Sequence, residues 1–148
     1  MFAISISLAD EATTGTADPD ESSAEWDIRD AYGPTHDVEI STSEGTWMSI
    51  DVHDNLIVFD LLGDIWSLPL SGGQATQLTH GPAWDSEPRF SPDGQKIAFV
   101  SDGDGNEQLW TMNADGSDAS VFTSEQTARV TDPVWDPNGP WLIGRRRT

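Results

Sequence analysis

The chain has no cysteine among its 148 residues. That excludes disulfides, thiolate catalysis and cysteine-based zinc sites together, and it leaves the redox compartment open. Positive charge is scarce as well: seven Lys and Arg stand against 26 Asp and Glu, for a formal charge of −19. Three of the seven are Arg145, Arg146 and Arg147, so only four serve residues 1–144. A surface of this kind repels phosphates, which makes nucleic acid and anionic membranes poor partners. No apolar run approaches the roughly 20 residues of a membrane helix, so no membrane insertion is expected.

What is present divides at about residue 40. "MFAISISLADEA" has an apolar stretch from Phe2 to Ala9 with no Lys or Arg before it. It reads either as a clipped export signal or as an ordinary disordered start. "DEATTGTADPDESSAE", from Asp10 to Glu25, offers no large apolar side chain to bury. Residues 1–39 are therefore expected to be a disordered acidic segment, with a remnant of an export signal as one reading of its start. Within it, "WDIRDAYGPTHDVEI" from Trp26 is the place where an extended strand could begin.

Residues 40–148 repeat. "DIWSLPLSGGQATQLT" from Asp64 aligns without a gap on "QLWTMNADGSDASVFT" from Gln108, pairing Trp66 with Trp110, Gly72 with Gly116 and Thr79 with Thr123. Just upstream, Phe59 aligns with Phe99 at an offset of 40 rather than 44, so the second copy carries four extra residues inside "SDGDGNE". A third copy starts in "DPVWDPNGPWLIG", where Pro133, Trp135, Pro137 and Gly139 stand 45 after Pro88, Phe90, Pro92 and Gly94.

Each copy predicts four short strands joined by hairpins. In the second copy these are Ser86–Phe90, Lys96–Ser101, Glu107–Asn113 and Ala119–Thr123, with "PDG", "DGDGN" and "ADGS" as turns. "IAFV" and "LIVF" are apolar on both parities, which predicts sheets covered on both faces. Face-to-face stacking of four-stranded sheets at a period of about 44 residues is met by a β-propeller. The fold class is thus all-β: an incomplete propeller of about two four-stranded antiparallel blades plus the start of a third.

"FSPDGQKIAFVSDGDGNEQLWTMNADGS" resembles the propeller repeat of TolB-like proteins (WD40-like, PD40 repeats) over about residues 46–143. The longer stretch from "EGTWMSIDV" through "FSPDG" is similar to the propeller that precedes the metal-dependent barrel of bacterial amidohydrolase-like proteins. The resemblance marks Trp66, Gly72, Phe90, Pro92, Asp93, Gly94, Phe99, Trp110, Asp115, Gly116 and Trp135 as structural repeat positions. The first copy departs from it, reading "DVHDNLIVF" with a shortened turn at Asp54 and Asn55. A ring of the TolB type takes about six blades, whereas about 105 residues supply roughly 2.4.

Candidate chemistry is sparse. Asp102, Asp104 and Asn106 alternate as at the start of a calcium loop, but the sixth and twelfth positions are Glu107 and Asn113 where Gly and Glu belong. They remain the metal candidates, against the preferred reading as turn residues. His36, His53 and His80 form no ligand pair, and no "GxSxG" elbow occurs. Asp85 and Glu87 would do acid–base work only if a cleft joined them. Trp66 and Trp110 are expected in the core. No catalytic residue and no cofactor is assigned.

The expected function is a non-catalytic propeller segment, a scaffold or protein-interaction module. The resemblance implies a parent of the exported amidohydrolase type, hence a periplasmic or secreted location. Its partners would be the remaining blades and a C-terminal domain of that parent, or another protein. A TolB-like partner-binding propeller of an envelope complex and a gating propeller of a serine peptidase are the alternatives.

Overall fold

The computed structural model describes residues 3–6, 38–42, 44–45, 47–124 and 127–148. The expected disordered segment lies mostly outside these residues, as do His36 and the start of the extended stretch at Trp26. Its described parts, β1 (Ala3–Ile6) and β2 (Val38–Ser41), pair antiparallel. Among the described residues every regular element is a strand, and no helix is long and apolar enough to cross a membrane.

The first four-stranded sheet contains β3 (Ile50–His53), β4 (Leu56–Leu61), β5 (Asp64–Pro69) and β6 (Thr76–Gln77), each antiparallel to its neighbour. The turn at Asp54–Asn55 has only two residues, as the shortened first copy requires, and Asp54 takes a φ of 50° that a short polar side chain tolerates. At the β4–β5 turn, Leu62 and Gly63 both have positive φ, 58° and 89°, which suits a two-residue hairpin with the native strand twist.

The second sheet is built from β7 (Asp85–Phe90), β8 (Lys96–Ser101), β9 (Gln108–Asn113) and β10 (Ser120–Val121) in the same order. Six residues separate β8 from β9 where two separate β4 from β5, so the four additional residues of the second copy all lie in this loop. The last strand is shorter than its sequence suggests. Phe122 and Thr123 both send their N–H groups to the Leu109 carbonyl, at 2.7 and 3.2 Å, so ladder pairing ends at Val121. A two-stranded sheet of β11 (Arg129–Trp135) and β12 (Leu142–Arg147) forms the first half of a third blade.

Register carries the repeat into three dimensions. Phe59 opposes Trp66 in the first sheet, and Phe99 opposes Trp110 in the second. Val58 and Ile65 of the first sheet, with Leu78 just after β6, share one buried cluster with Phe90, Ile97, Phe99 and Met112 of the second. On the other face of the second sheet, Val100 and Leu109 pack on Val130, with Leu142 beside them. The strand parity "IAFV" thus serves two neighbours, Ile97 and Phe99 backward, Val100 forward.

The outer sheets each lack one neighbour. Phe59 and Trp66 lie under Met48, Ile57, Leu61, Leu68 and Ala75, and an open groove of about 160 Å³ runs over that face. Its rim includes Ile50, which is 55% exposed. At the other end Trp141, Val134 and Ile143 are exposed. Coverage on both faces therefore holds for the second sheet and fails for the first, whose outward face meets no other sheet among the described residues. Trp66 is buried and Trp110 half-buried, whereas Trp47, Trp84 and Trp141 are exposed because they stand in connections rather than strands.

Candidate functional site

The segment from β6 to β7 crosses the seam between the first two sheets. Ile65 N–H donates to Thr79 Oγ1 at 2.9 Å, Asp85 N–H to the Gly63 carbonyl at 2.7 Å, and Trp84 N–H to Asp102 Oδ1 at 2.7 Å. These bonds tie the connection to both sheets, and an open pocket of about 450 Å³ lies beside it. Its walls are polar and apolar in nearly equal measure, with Leu78, Phe99 and Ala119 beside Thr79, His80, Asp85, Ser101 and Asp104.

Asp85 is the group at the centre of the seam. It is 5% exposed, and the nearby hydroxyls of Ser101 and Thr79 favour its charged form. Its Oδ1 nevertheless has no partner, and neither does the buried Nε1 of Trp110. Burial pushes the Asp85 carboxyl above its ordinary value, opposed by the two hydroxyls. Asp64, nearby on β5, is pushed up to about 6 by burial and then by the charge of Asp85; His80, Gln77 and Thr79 act the other way. Asp64 Oδ2 accepts from Gln77 at 3.0 Å, and its buried Oδ1 is unpartnered.

A cavity with a few convergent polar groups and perturbed acids is suited to binding. It is not arranged for nucleophilic catalysis. Among the described residues no hydrogen bond joins Ser101 to a histidine, and its Oγ accepts the Gly103 N–H at 3.2 Å.

The sequence candidates are dispersed. Asp102 accepts from Trp84, whereas Asn106 donates to the Ala128 carbonyl at 2.8 Å and accepts from its neighbour Glu107. Asp104 is exposed. Among the described residues no three His, Asp or Glu side chains gather to hold a metal ion. Asp85 and Glu87 part company: Asp85 faces the seam, whereas Glu87 Oε2 accepts the Asp132 N–H at 2.7 Å on the third blade. The residues responsible are a bulge in β7, between Ser86 and Arg89, and its counterpart in β11 between Thr131 and Val134.

The repeat positions serve turns and seams. Asp93 Oδ1 accepts from Ser91 Oγ and Gln95 N–H, and Asp115 Oδ1 from Ser117 Oγ and N–H. These bonds hold both carboxyls below their ordinary value. Gly94 and Gly116 close the same two turns with φ of 68° and 88°, and Gly72, with φ of 83°, takes the Gly116 position in the first copy. Phe90 and Phe99 lie in the core, and Pro92 offers its carbonyl to His53 Nε2 at 3.2 Å. Trp135 Nε1 donates to the Arg89 carbonyl at 3.1 Å, tying the third blade to the second.

The signal missed in the sequence was the acidic residue before proline, Glu87–Pro88 and Asp132–Pro133, 45 residues apart. Asp64 was missed because nothing local distinguishes it from the other carboxylates.

Comparison with known proteins agrees with this architecture. The family model of the Tricorn protease N-terminal beta propeller domain matches residues 46–147. The uncharacterized peptidase YuxL of Bacillus subtilis is 36% identical over 81 residues, 54% of this chain and 12% of its own length. Tricorn protease homolog 1 of Streptomyces coelicolor is 31% identical over 87 residues, 59% of this chain and 8% of its own. A solved structure of a protein assigned as TolB from Agrobacterium tumefaciens superposes with a TM-score of 0.58 at 29% identity, covering 63% of this chain and 35% of that one. The chain spans a small fraction of the curated relatives it matches.

Proposed function

The chain belongs to the Tricorn protease N-terminal beta-propeller family, and from that premise we propose that it is a non-catalytic propeller segment of a larger hydrolytic protein. In that parent it would serve as a scaffold that docks or gates a catalytic domain. The observation that carries this reading is the open outward face of the first sheet. Phe59 and Trp66 stand where Phe99 and Trp110 stand in the second sheet, yet the second pair packs on a neighbouring blade and the first pair does not.

Two relatives bear peptidase or protease names, which favours a parent in which the propeller controls access to a peptidase site. The similarity of "EGTWMSIDV" through "FSPDG" to amidohydrolase-associated propellers supports the other parent, and the TolB likeness supports a partner-binding role. The reading needs no cofactor. Its partners are further blades and a catalytic domain, and an exported location is part of the proposal, resting on the apolar stretch Phe2–Ala9.

Sequencing the DNA that follows the codon for Thr148 tests the reading. Further "SPDG" repeats are expected, then either a Gly-x-Ser-x-Gly elbow or clustered His ligands. The absence of any further repeat in any frame would contradict it.

A further inference from the structure

Two indole rings stand exposed in one groove. Trp47, between β2 and β3, and Trp84, just before β7, belong to none of the buried clusters. Both line an open groove of about 470 Å³ beside the β4–β5 turn, a volume within the usual range of small-ligand sites. Trp84 is set in place from two sides: its N–H donates to Asp102 Oδ1 at 2.7 Å, and its six-membered ring lies against Gly63, where an added Cβ would come within 3.0 Å of Cε3. A ring held this way loses little freedom when a ligand stacks on it. Trp47 has a φ of 61°, which a bulky side chain rarely adopts, and such backbone outliers cluster at ligand sites.

Charge decides what the rings take. Every ionisable side chain on the groove's lining is acidic, namely Glu44, Asp60 and Asp85, and the chain as a whole carries −19. The two Asp60 oxygens are taken by the Ser49 and Glu87 amides, so Asp60 supplies a field rather than a bond, whereas Glu44 is exposed at the rim. A cleft lined by one sign of charge concentrates the opposite sign. An anion is repelled, and a neutral sugar would use the indole faces but not the charge. An arginine side chain uses both: its guanidinium is planar and weakly hydrated, is attracted to the face of an indole, and matches a carboxylate with two parallel donors. We propose that this groove binds an arginine side chain of a basic peptide, with Trp47 and Trp84 against the guanidinium and Glu44 paired to it. The role is independent of which catalytic domain the parent carries.

The test uses the full 148-residue chain with ¹⁵N-labelled tryptophan. The Trp47 and Trp84 indole signals are assigned by their loss in Trp47→Leu and Trp84→Leu, and Trp66, whose Nε1 donates to the Leu61 carbonyl at 3.2 Å, serves as internal control. The probe is acetyl-Gly-Arg-Gly amide, titrated beside the same peptide with citrulline for arginine, which keeps the planar shape and lacks the charge. The expected result is saturable movement of Trp47 and Trp84 but not Trp66, at least about tenfold weaker with the citrulline peptide and weakened by Glu44→Gln. Unmoved signals, or equal movement with both peptides or with maltotriose, overturn the proposal. Movement on raising the protein concentration alone, lost when Arg145, Arg146 and Arg147 are all changed to Ser, would give the groove to a second copy of the chain and overturn a peptide partner. The peptide pair makes the test on the unmutated protein, so it does not depend on the folding of any variant.

Discussion

Glu87 Oε2 accepts the backbone N–H of Asp132 at 2.7 Å, and the two residues are the same position of consecutive blades. Both sit at a strand bulge with φ of 56° and 57°, and each precedes a fully buried proline, Pro88 or Pro133. One blade earlier the acceptor is Asp60, whose Oδ2 takes the Glu87 N–H at 2.9 Å while its Oδ1 takes the Ser49 N–H at 2.7 Å. A carboxylate on one blade thus satisfies the bulged amide of the next, twice in succession.

Removing these acceptors should loosen the seams in proportion to their burial. Asp60→Ala leaves two amides without their acceptor and is expected to cost about 2–3 kcal/mol, whereas Glu87→Ala, which frees one exposed amide, should cost about 0.5–1.5 kcal/mol. Urea midpoints at constant slope measure both. Equal midpoints for the two variants would contradict the ranking.

Stability should rise on mild acidification. The folded carboxyl of Asp64 titrates near 6, above its ordinary value of 3.8, so the folded state takes up its proton first. The favourable term is complete below the unfolded value and is lost as pH rises through about 6. Asp85, also raised by burial, acts in the same sense. Asp93 and Asp115, held low by their serine partners, oppose it only in more acid solution, where they protonate. Asp64→Asn should reduce the change in stability between pH 7 and 5 by about 1 kcal/mol, read from urea melts at each pH. An unchanged slope would remove Asp64 from the account.

Gly94 should resist substitution for two separable reasons. Its φ is 68°, and a Cβ there would come within 2.3 Å of the His53 ring across the seam. Gly94→Ala is expected to cost about 1–3 kcal/mol, and His53→Ala should recover the steric part but not the backbone part. Strict additivity of the two changes in thermal melts would show that the ring is not in contact.

The exposed sheet face should be detectable in solution. The 148-residue chain is expected to bind a hydrophobic dye, and Ile57→Lys, on the groove over Phe59 and Leu68, should reduce that binding. Dye binding unaffected by this change would move the exposed surface elsewhere.

Much of the architecture was legible because it is periodic. The match of Trp66 to Trp110 and of Phe59 to Phe99 carried the cross-strand register, and the change of offset from 44 to 40 located the longer loop before Gln108. The seam site was not legible. Among the described acidic residues only burial sets Asp85, Asp64 and Asp60 apart, and burial depends on the packing of one blade on the next. Glu87 and Asp132 recur at the repeat spacing, but a bulge changes which way a side chain points without altering the pattern of residue types. Tryptophan as a residue type does not mark the core: Trp66 lies in a stacked strand and is buried, whereas Trp47, Trp84 and Trp141 lie outside the strands that stack and are exposed.

Native-state hydrogen exchange on the 148-residue chain tests the central claim most directly, because among the described residues one blade is covered on both faces and the two beside it are not. Amides of Phe99, Val100 and Leu109 in the middle sheet should be the most protected, those of Phe59 and Trp66 less so, and those of Ile143 and Arg145 least. Protection in β12 equal to that in β8 would contradict an open stack of blades.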